Sequence, residues 1–403
     1  MLEKAHNRAI ALEREEHHEV SDIFRVYGKE YHKNNSLSYE QAKVMRHITA
    51  CRTAALGGHV EVCDECGFRQ NAYNSCRDRH CPKCQTLVKE KWINDRKAEL
   101  LPCGYYHNVF TLPHKLNPVI LCNKKVMLDI LFSAVQETLQ VFARDPQWRL
   151  VGTLGFIAVL HTWSQILLDH FHLHCVIPAG VLSFDKSRWV SARKNFLFKT
   201  HSLAKEFKKR YLTKVQRAYD RDELIFPGET AVLGTKKGFA ELIAEVFKSR
   251  WVVYSKKPFA GPEQVLEYLG RYTHRVAISN NRIESIDNGE VTFTYKDREK
   301  NDTIEKMTLK AHEFIRRFLL HVLPKGFMKI RYYGFLAHTN KGHYIPLLRE
   351  LIDPEANLPM KIKETIQEMM LRLTGLDITR CPLCKKGRMV VIMELPRLSW
   401  DTS

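Results

Sequence analysis

The stretch Asp169–Gly180, DHFHLHCVIPAG, decides how the chain is read. His170, His172 and His174 alternate with Phe171, Leu173 and Cys175, and an apolar run then ends in Pro178-Ala179-Gly180. Alternation at every second residue is the period of a β-strand, so the imidazoles share one face and the apolar side chains share the other. The apolar face is expected to pack on helices. Side chains at i and i+2 stand about 6.6 Å apart, close enough for two imidazoles to converge on one metal ion. The outer two of the three are about 13 Å apart, so the usable pair is His170 with His172 or His172 with His174. The plain alternative is a polar sheet face open to solvent.

The flanks extend this strand into a fold class. YYHNVFTL (105–112) reads as a strand stopped by Pro113, and NPVILCNKKVMLDILFSAVQETLQVFA (117–143) reads as a helix with Pro118 near its start. LVGTLGFIAVLHTW (150–163) is a second strand, and the histidine stretch is the third. Helical patterns follow at 198–219, 238–251 and 261–275. GEVTFTYKD and DTIEKMTLK alternate like a hairpin, and AHEFIRRFLLHVL is a further helix before the basic stretch 325–343. The order β-α-β-β with later helices and strands predicts an α+β fold on a mostly antiparallel sheet.

Composition narrows the class. Lys and Arg outnumber Asp and Glu by 63 to 45, a net charge of +18, which favours nucleic acid or another anionic surface as partner. The longest apolar stretch, VGTLGFIAVL, is about half of what a spanning helix needs, so no membrane role is expected. The N-terminus, MLEKAHNRAIALEREEHHEV, is too charged for a signal peptide. An intracellular chain keeps its 11 cysteines reduced, and clustered thiols then point to metal.

CDECGFRQNAYNSCRDRHCPKC contains Cys63-x-x-Cys66 and Cys81-x-x-Cys84. A two-residue gap lets one turn aim both sulfurs at one point, and two such turns build a tetrahedral zinc cage, so Cys63, Cys66, Cys81 and Cys84 are expected to share one zinc. Cys51, His59, Cys76 and His80 are candidates for a second site, although Cys51 and Cys76 are also read as small core residues. Cys381-x-x-Cys384 is half of a further site, with His338 and His343 as candidate partners. Arg69, Arg77, Arg79, Lys83, Lys89 and Lys91 make the module a candidate DNA reader or a solvated charged face. Downstream, Tyr268 and Tyr272 stand at i and i+4 on one helical face, a stripe that Val265, Leu269 and Val276 extend as plain amphipathic packing.

Taken together, these stretches resemble the two-tyrosine HUH transposases of rolling-circle insertion sequences, the IS91 group. The resemblance rests on CRTAALGGHVEVCDECG with YNSCRDRHCPKCQ, on FTLPHKL, on LHTWSQILLDHFHLHCVIPAG, and on WVVYSKKPFAGPEQVLEYLGRYTHRVAISN. It implies a ferredoxin-like HUH nuclease core preceded by a small zinc-binding domain. The expected divisions are an N-terminal helical arm (1–36), the zinc-binding domain (37–100), the catalytic domain (101–310) and a basic C-terminal region (311–403). It selects His172 and His174 as ligands for catalytic Mg²⁺ or Mn²⁺, and Tyr268 and Tyr272 as nucleophiles. Gln264 is the expected third metal ligand, with Gln165 and His161 as rivals.

The activity so implied is metal-dependent nicking and rejoining of single-stranded DNA through a 5′-phosphotyrosine. Arg271, Arg275, Arg316, Arg317 and Arg331 are the expected DNA contacts, and His274 or the nearby arginines would ease loss of the phenol proton. No Walker A pattern is present, so strand separation would fall to host replication machinery, in the bacterial cytoplasm at the nucleoid. The competing readings are an inert zinc-dependent DNA-binding protein descended from a transposase, and a metal-dependent phosphodiesterase that activates water.

Overall fold

The computed structural model describes residues 18–192, 197–256, 264, 265, 270, 276–297 and 300–398. In chain order its strands are β1 (Gly58–Cys63), β2 (Arg69–Tyr73), β3 (Tyr105–Thr111), β4 (Phe156–Trp163), β5 (Asp169–Pro178), β6 (Gly180–Leu182) and β7 (Trp189–Ser191). They continue with β8 (Val252–Lys256), β9 (Ile283–Asp287), β10 (Glu290–Asp297), β11 (Thr303–Lys310), β12 (Ile330–Tyr333) and β13 (Met389–Leu395). The main sheet runs β12-β4-β5-β3-β8 with every pairing antiparallel, so the histidine strand β5 is its centre. This is the α+β arrangement the sequence predicts.

The two faces of β5 are covered differently. Phe171, Leu173, Cys175 and Ile177 enter the largest core with Tyr106, Phe110, Phe156, Ala158 and Leu160. The helix Lys124–Phe142 closes that face with Leu131, Val135 and Leu139, and Thr200–Asp220 adds Phe207, Tyr211 and Val215. Both helices carry their apolar residues three and four apart, one stripe per helix. The sequence expected one helix over 117–143. The structure breaks it at Asn123, whose side chain exchanges hydrogen bonds with the backbone of Ile225 at 2.7 and 2.8 Å.

The opposite face carries the imidazoles. Beyond them, Ile157, Val159 and Val176 continue into a smaller core with Leu182, Val265, Phe335, Ile345 and Leu348. Trp92 and Ile93, from the helix Pro82–Lys97, pack against it.

A third core joins sequence-distant parts. The helix Val20–Asn34 contributes Val20, Ile23 and Phe24, and Tyr39–Ala50 contributes Val44, Met45 and Ile48. They meet Val291 and Phe293 of β10, and Phe314, Ile315 and Phe318 of the helix Ala311–Leu320. Ser38 and Gln41 form the expected capping box that starts the second of these helices. The stretch read as a basic C-terminal region is thus divided among three places. Its first helix lies in this core, β12 edges the main sheet, and β13 pairs with β1 in a small sheet ordered β13-β1-β2. Among the described residues no helix is long and apolar enough to cross a membrane.

Candidate active site and cysteine cages

Register builds the histidine cluster. β4 and β5 pair so that His161 lies opposite His172 and Val159 opposite His174. The turn between the strands is closed by Ser164, whose N–H donates to Leu168 O at 2.8 Å. His161, His172 and His174 are buried, and one ring nitrogen of each lies within 4.8 Å of the others. Ring centroids are 5.3 Å apart for His161–His172, 4.4 Å for His161–His174 and 4.8 Å for His172–His174.

The sequence reading named Gln264 as third partner and kept His161 as a rival; the structure gathers His161 with the pair. Gln264 is an exposed helical residue. The signal available was the tight turn after HTW, which folds β4 back on β5 and brings a second histidine to the same face.

Hydrogen bonds orient the rings. His172 Nδ1–H donates to His170 O at 2.8 Å, which leaves Nε2 as the basic nitrogen. His174 Nδ1 meets His107 Nε2 at 2.8 Å, and the two rings stack with centroids 5.0 Å apart. His107 is fully within the protein; burial, with a smaller contribution from Lys256, pushes its pKa down to about 3. It is therefore neutral, and its hydrogen bond fixes the ring of His174. His107, at the start of "HNVFTL" on β3, is a site residue the sequence reading missed. An isolated histidine in a strand carries no spacing signal.

The cysteines group differently from the expectation. Cys63 and Cys66 do not meet Cys81 and Cys84. Instead Cys51, Cys76, Cys81 and Cys84 converge in one cluster, and Cys63, Cys66, Cys381 and Cys384 in another, each with all sulfurs within 4.8 Å. The hairpin β1–β2 is the cause. Gly58 pairs with Tyr73 at its base, next to Cys51 and Cys76, while Cys63 and Cys66 form its tip, about 17 Å away along a six-residue strand.

Cys51 and Cys76 each approach Cys84 to 3.6 Å. A tetrahedron with zinc–sulfur bonds of about 2.3 Å has edges of about 3.8 Å, so these separations are those of a zinc cage. Hydrogen bonds from Cys76 and Cys81 draw the Cys51 thiol down to about 7. At the other cluster the Gly387 and Lys386 backbone N–H groups draw Cys384 down to about 6.

The two histidines proposed for a second zinc lie outside both clusters. His59 Nε2 faces Glu61 Oε1 at 3.1 Å. His80 binds Asp78 through Nδ1 at 3.0 Å, while its Nε2 accepts from Leu323 N at 3.4 Å. His338 and His343 are not among the partners of Cys381 and Cys384 either.

Of the arginines expected on DNA, the described ones are engaged in the protein. Arg316 and Arg317 both grip Glu313, the second at 2.6 Å, and Arg317 also donates to Ile166 O. Arg331 pairs with Asp129 and lies 4.0 Å over the Phe132 ring. Tyr268, Tyr272, Arg271 and Arg275 lie outside the described residues. Val265 is buried in the core on the histidine side of the sheet, and a Cβ on Gly270 would come within 2.3 Å of Ile93 Cδ1.

Known proteins agree with this architecture. Residues 155–343 match the family described as "Putative transposase", and residues 23–112 match the family described as "Transposase zinc-binding domain". The chain is 46% identical over 397 residues to "Putative transposase y4qJ" of Sinorhizobium fredii, covering 96% of this chain and 98% of that one. It is 28% identical over 365 residues to "Transposase for insertion sequence element IS801" of Pseudomonas savastanoi pv. phaseolicola, covering 89% of this chain and 85% of that one. No solved structure matches it. With a zinc-binding domain ahead of a histidine-centred antiparallel sheet, full-length similarity to a putative transposase and broad similarity to an insertion-sequence transposase, the chain belongs to the IS91 family of transposases.

Proposed function

We propose that this transposase nicks and rejoins single-stranded DNA at element ends, with Tyr268 and Tyr272 as nucleophiles beside a divalent cation held by His161, His172 and His174. The observation that carries the reading is the convergence of three buried imidazoles on one sheet face. Val265 and Gly270, which bracket Tyr268, pack in the cover of that same face. Three imidazoles fit a transition-metal ion such as Mn²⁺ more readily than Mg²⁺. When bound, the cation offsets charge on the non-bridging phosphate oxygens.

The remaining chemistry belongs to the chain. His107 and the His170 carbonyl fix the rings of His174 and His172. A tyrosine oxygen attacks phosphorus as its proton leaves to solvent or a basic neighbour. The P–O3′ bond breaks, and O3′ takes up a proton to become a free hydroxyl. The 5′-phosphotyrosine keeps the phosphodiester's energy, so a later attack by a 3′-hydroxyl expels the phenol and rejoins DNA without ATP. Two tyrosines allow one cut end to be held while a second cut is made.

Zinc in the Cys51, Cys76, Cys81 and Cys84 cage holds the N-terminal module. A cavity of about 350 Å³ beside it is lined by Lys43, His47, Arg77, Arg79 and Lys325 together with Glu40 and Asp78, a groove of net positive lining suited to the DNA backbone. The protein acts on chromosomal DNA in the bacterial cytoplasm, with strand separation supplied by host replication.

The test is end-labelled single-stranded DNA carrying the element's end, incubated with protein and Mn²⁺ and run on a denaturing gel. Wild type should give a protein-linked label. Tyr268→Phe and Tyr272→Phe should each retain some adduct, and the double variant should give none. Free fragments without adduct would mean a hydrolase, and an adduct in the double variant would put the nucleophile elsewhere.

A further inference from the structure

We propose that Cys63, Cys66, Cys381 and Cys384 hold a second zinc ion, which clasps the C-terminal end of the chain onto the N-terminal module. This site is independent of the histidine chemistry and of the first cage. Cys63 Sγ lies 3.7 Å from Cys384 Sγ, and Cys66 Sγ lies 3.7 Å from Cys381 Sγ. These are edges of the same tetrahedron that zinc–thiolate bonds of about 2.3 Å require. They are far from the roughly 2.05 Å of a disulfide. Four thiolates with no oxygen or nitrogen donor make a soft, tetrahedral set that selects zinc.

Both halves are built as metal-binding turns. Cys66 N–H points at Cys63 Sγ at 3.4 Å, and Cys384 N–H at Cys381 Sγ at 3.5 Å. Gly387 N–H points at Cys384 Sγ at 3.4 Å. Donors aimed at sulfur stabilise thiolate over thiol. Two glycines make room. Gly67 turns with φ +70, and a Cβ on Gly387 would stand 2.5 Å from Cys63 Sγ.

The backbone brings the two turns together. β13 pairs with β1 from Cys63↔Met389 to Gly58↔Leu395. Asp64 N–H donates to Arg388 O at 3.1 Å, and Arg388 N–H donates to Asp64 Oδ1 at 2.7 Å.

Hydrophobic burial alone gives this junction little hold. Val390, Val391, Ile392 and Met393 of β13 are about half exposed, between 48% and 54%. A strand so poorly buried, joining residues more than 300 apart in sequence, needs a cross-link to stay paired. The two Cys-x-x-Cys turns at the end of the pairing supply it.

The full-length chain, purified reduced, should lose one zinc equivalent when Cys381→Ser and Cys384→Ser are combined, measured by elemental analysis against protein concentration. Cobalt-substituted protein should lose half of its thiolate-to-metal absorption. Cys381→His, which keeps a zinc-competent donor, should restore the equivalent. Protease should cut the 376–398 segment in the serine double variant while leaving it intact in wild type. Equal zinc in wild type and the serine double variant overturns the clasp. So does loss of both cysteine-bound equivalents that the histidine variant does not reverse.

Discussion

The histidine cluster and the cysteine cages both gather side chains around a point, but the chain prepares them in opposite ways. His172 and His174 ride on the central strand of a five-stranded sheet, paired on both sides and backed by the largest core. Their positions follow from strand register before any ion is considered. The second cage sits where packing is thin, since every residue of β1 except Cys63 and every residue of β2 is at least partly exposed, whereas the first borders the third core, in which Cys51, Cys81 and Cys84 are buried. In the sheet, folding organises the ligands. In the cages, the ligands and their metal tie down the hairpin that hydrophobic packing leaves loose.

The largest effect that follows is on the first cage. Cys81→Ser should release its zinc and melt the segment from Cys51 to Lys97, because binding energies of structural zinc reach about 10 kcal/mol or more and are folding energy. Proteolysis of that segment, with the catalytic sheet retained, checks it. If the variant keeps its zinc and resists protease, the contrast between the two regions fails.

The histidine pair should behave in the other way. His172→Ala or His174→Ala should lower nicking by about 10³-fold or more, the value of several kcal/mol of charge stabilisation, with the fold and most DNA affinity kept. Circular dichroism and a binding assay beside the nicking gel separate these outcomes. A collapse of the fold in either variant would show that the imidazoles hold the sheet together.

This contrast also explains what the sequence made legible. Alternation around His172 and His174 revealed the central strand, because a period of two survives without knowledge of the partners. The partners were harder to read: His161 was named only as a rival to Gln264, and His107 not at all. Both reach the site through strand pairing, and a lone histidine on a neighbouring strand has no spacing to single it out. The cysteines misled for the opposite reason. Cys63-x-x-Cys66 and Cys81-x-x-Cys84 are close in sequence, yet the intervening hairpin separates them, and the true partners of Cys63 and Cys66 lie more than 300 residues later. Strand β12 was read only as a basic stretch. It has four half-buried residues with Arg331 among them, too short to show a period.

The third ligand sharpens the same comparison at smaller scale. His161→Ala should weaken Mn²⁺ binding by more than the 10–100-fold typical of losing an outer-shell partner. Gln264→Ala should leave it nearly unchanged, as measured by calorimetric titration of the full chain. The reverse ranking would restore the glutamine as ligand and make His161 a packing residue.

The smallest effect lies at the joint between the two regions. Asp78 accepts from His47 at 2.9 Å and from His80 at 3.0 Å, and His80 in turn accepts from Leu323 N–H. Burial alone would raise the Asp78 pKa, but the bonds from His80 and His47 outweigh it and hold the carboxyl at about 2. Burial pushes His80 below the ordinary imidazole range, so at neutral pH it acts as a neutral donor. A carboxyl held below its unfolded value of about 3.9 stabilises the fold above that pH, and the contribution is lost only as pH falls from about 4 to about 2. Asp78→Asn should therefore cost about 2 kcal/mol, and by the same amount at pH 7 and pH 5, since both lie above the window. Denaturant midpoints of the two proteins at each pH measure it. A difference that grows from pH 7 to pH 5 would assign the joint to a histidine titration, and the two regions would then be coupled by imidazole charge rather than by the carboxylate alone.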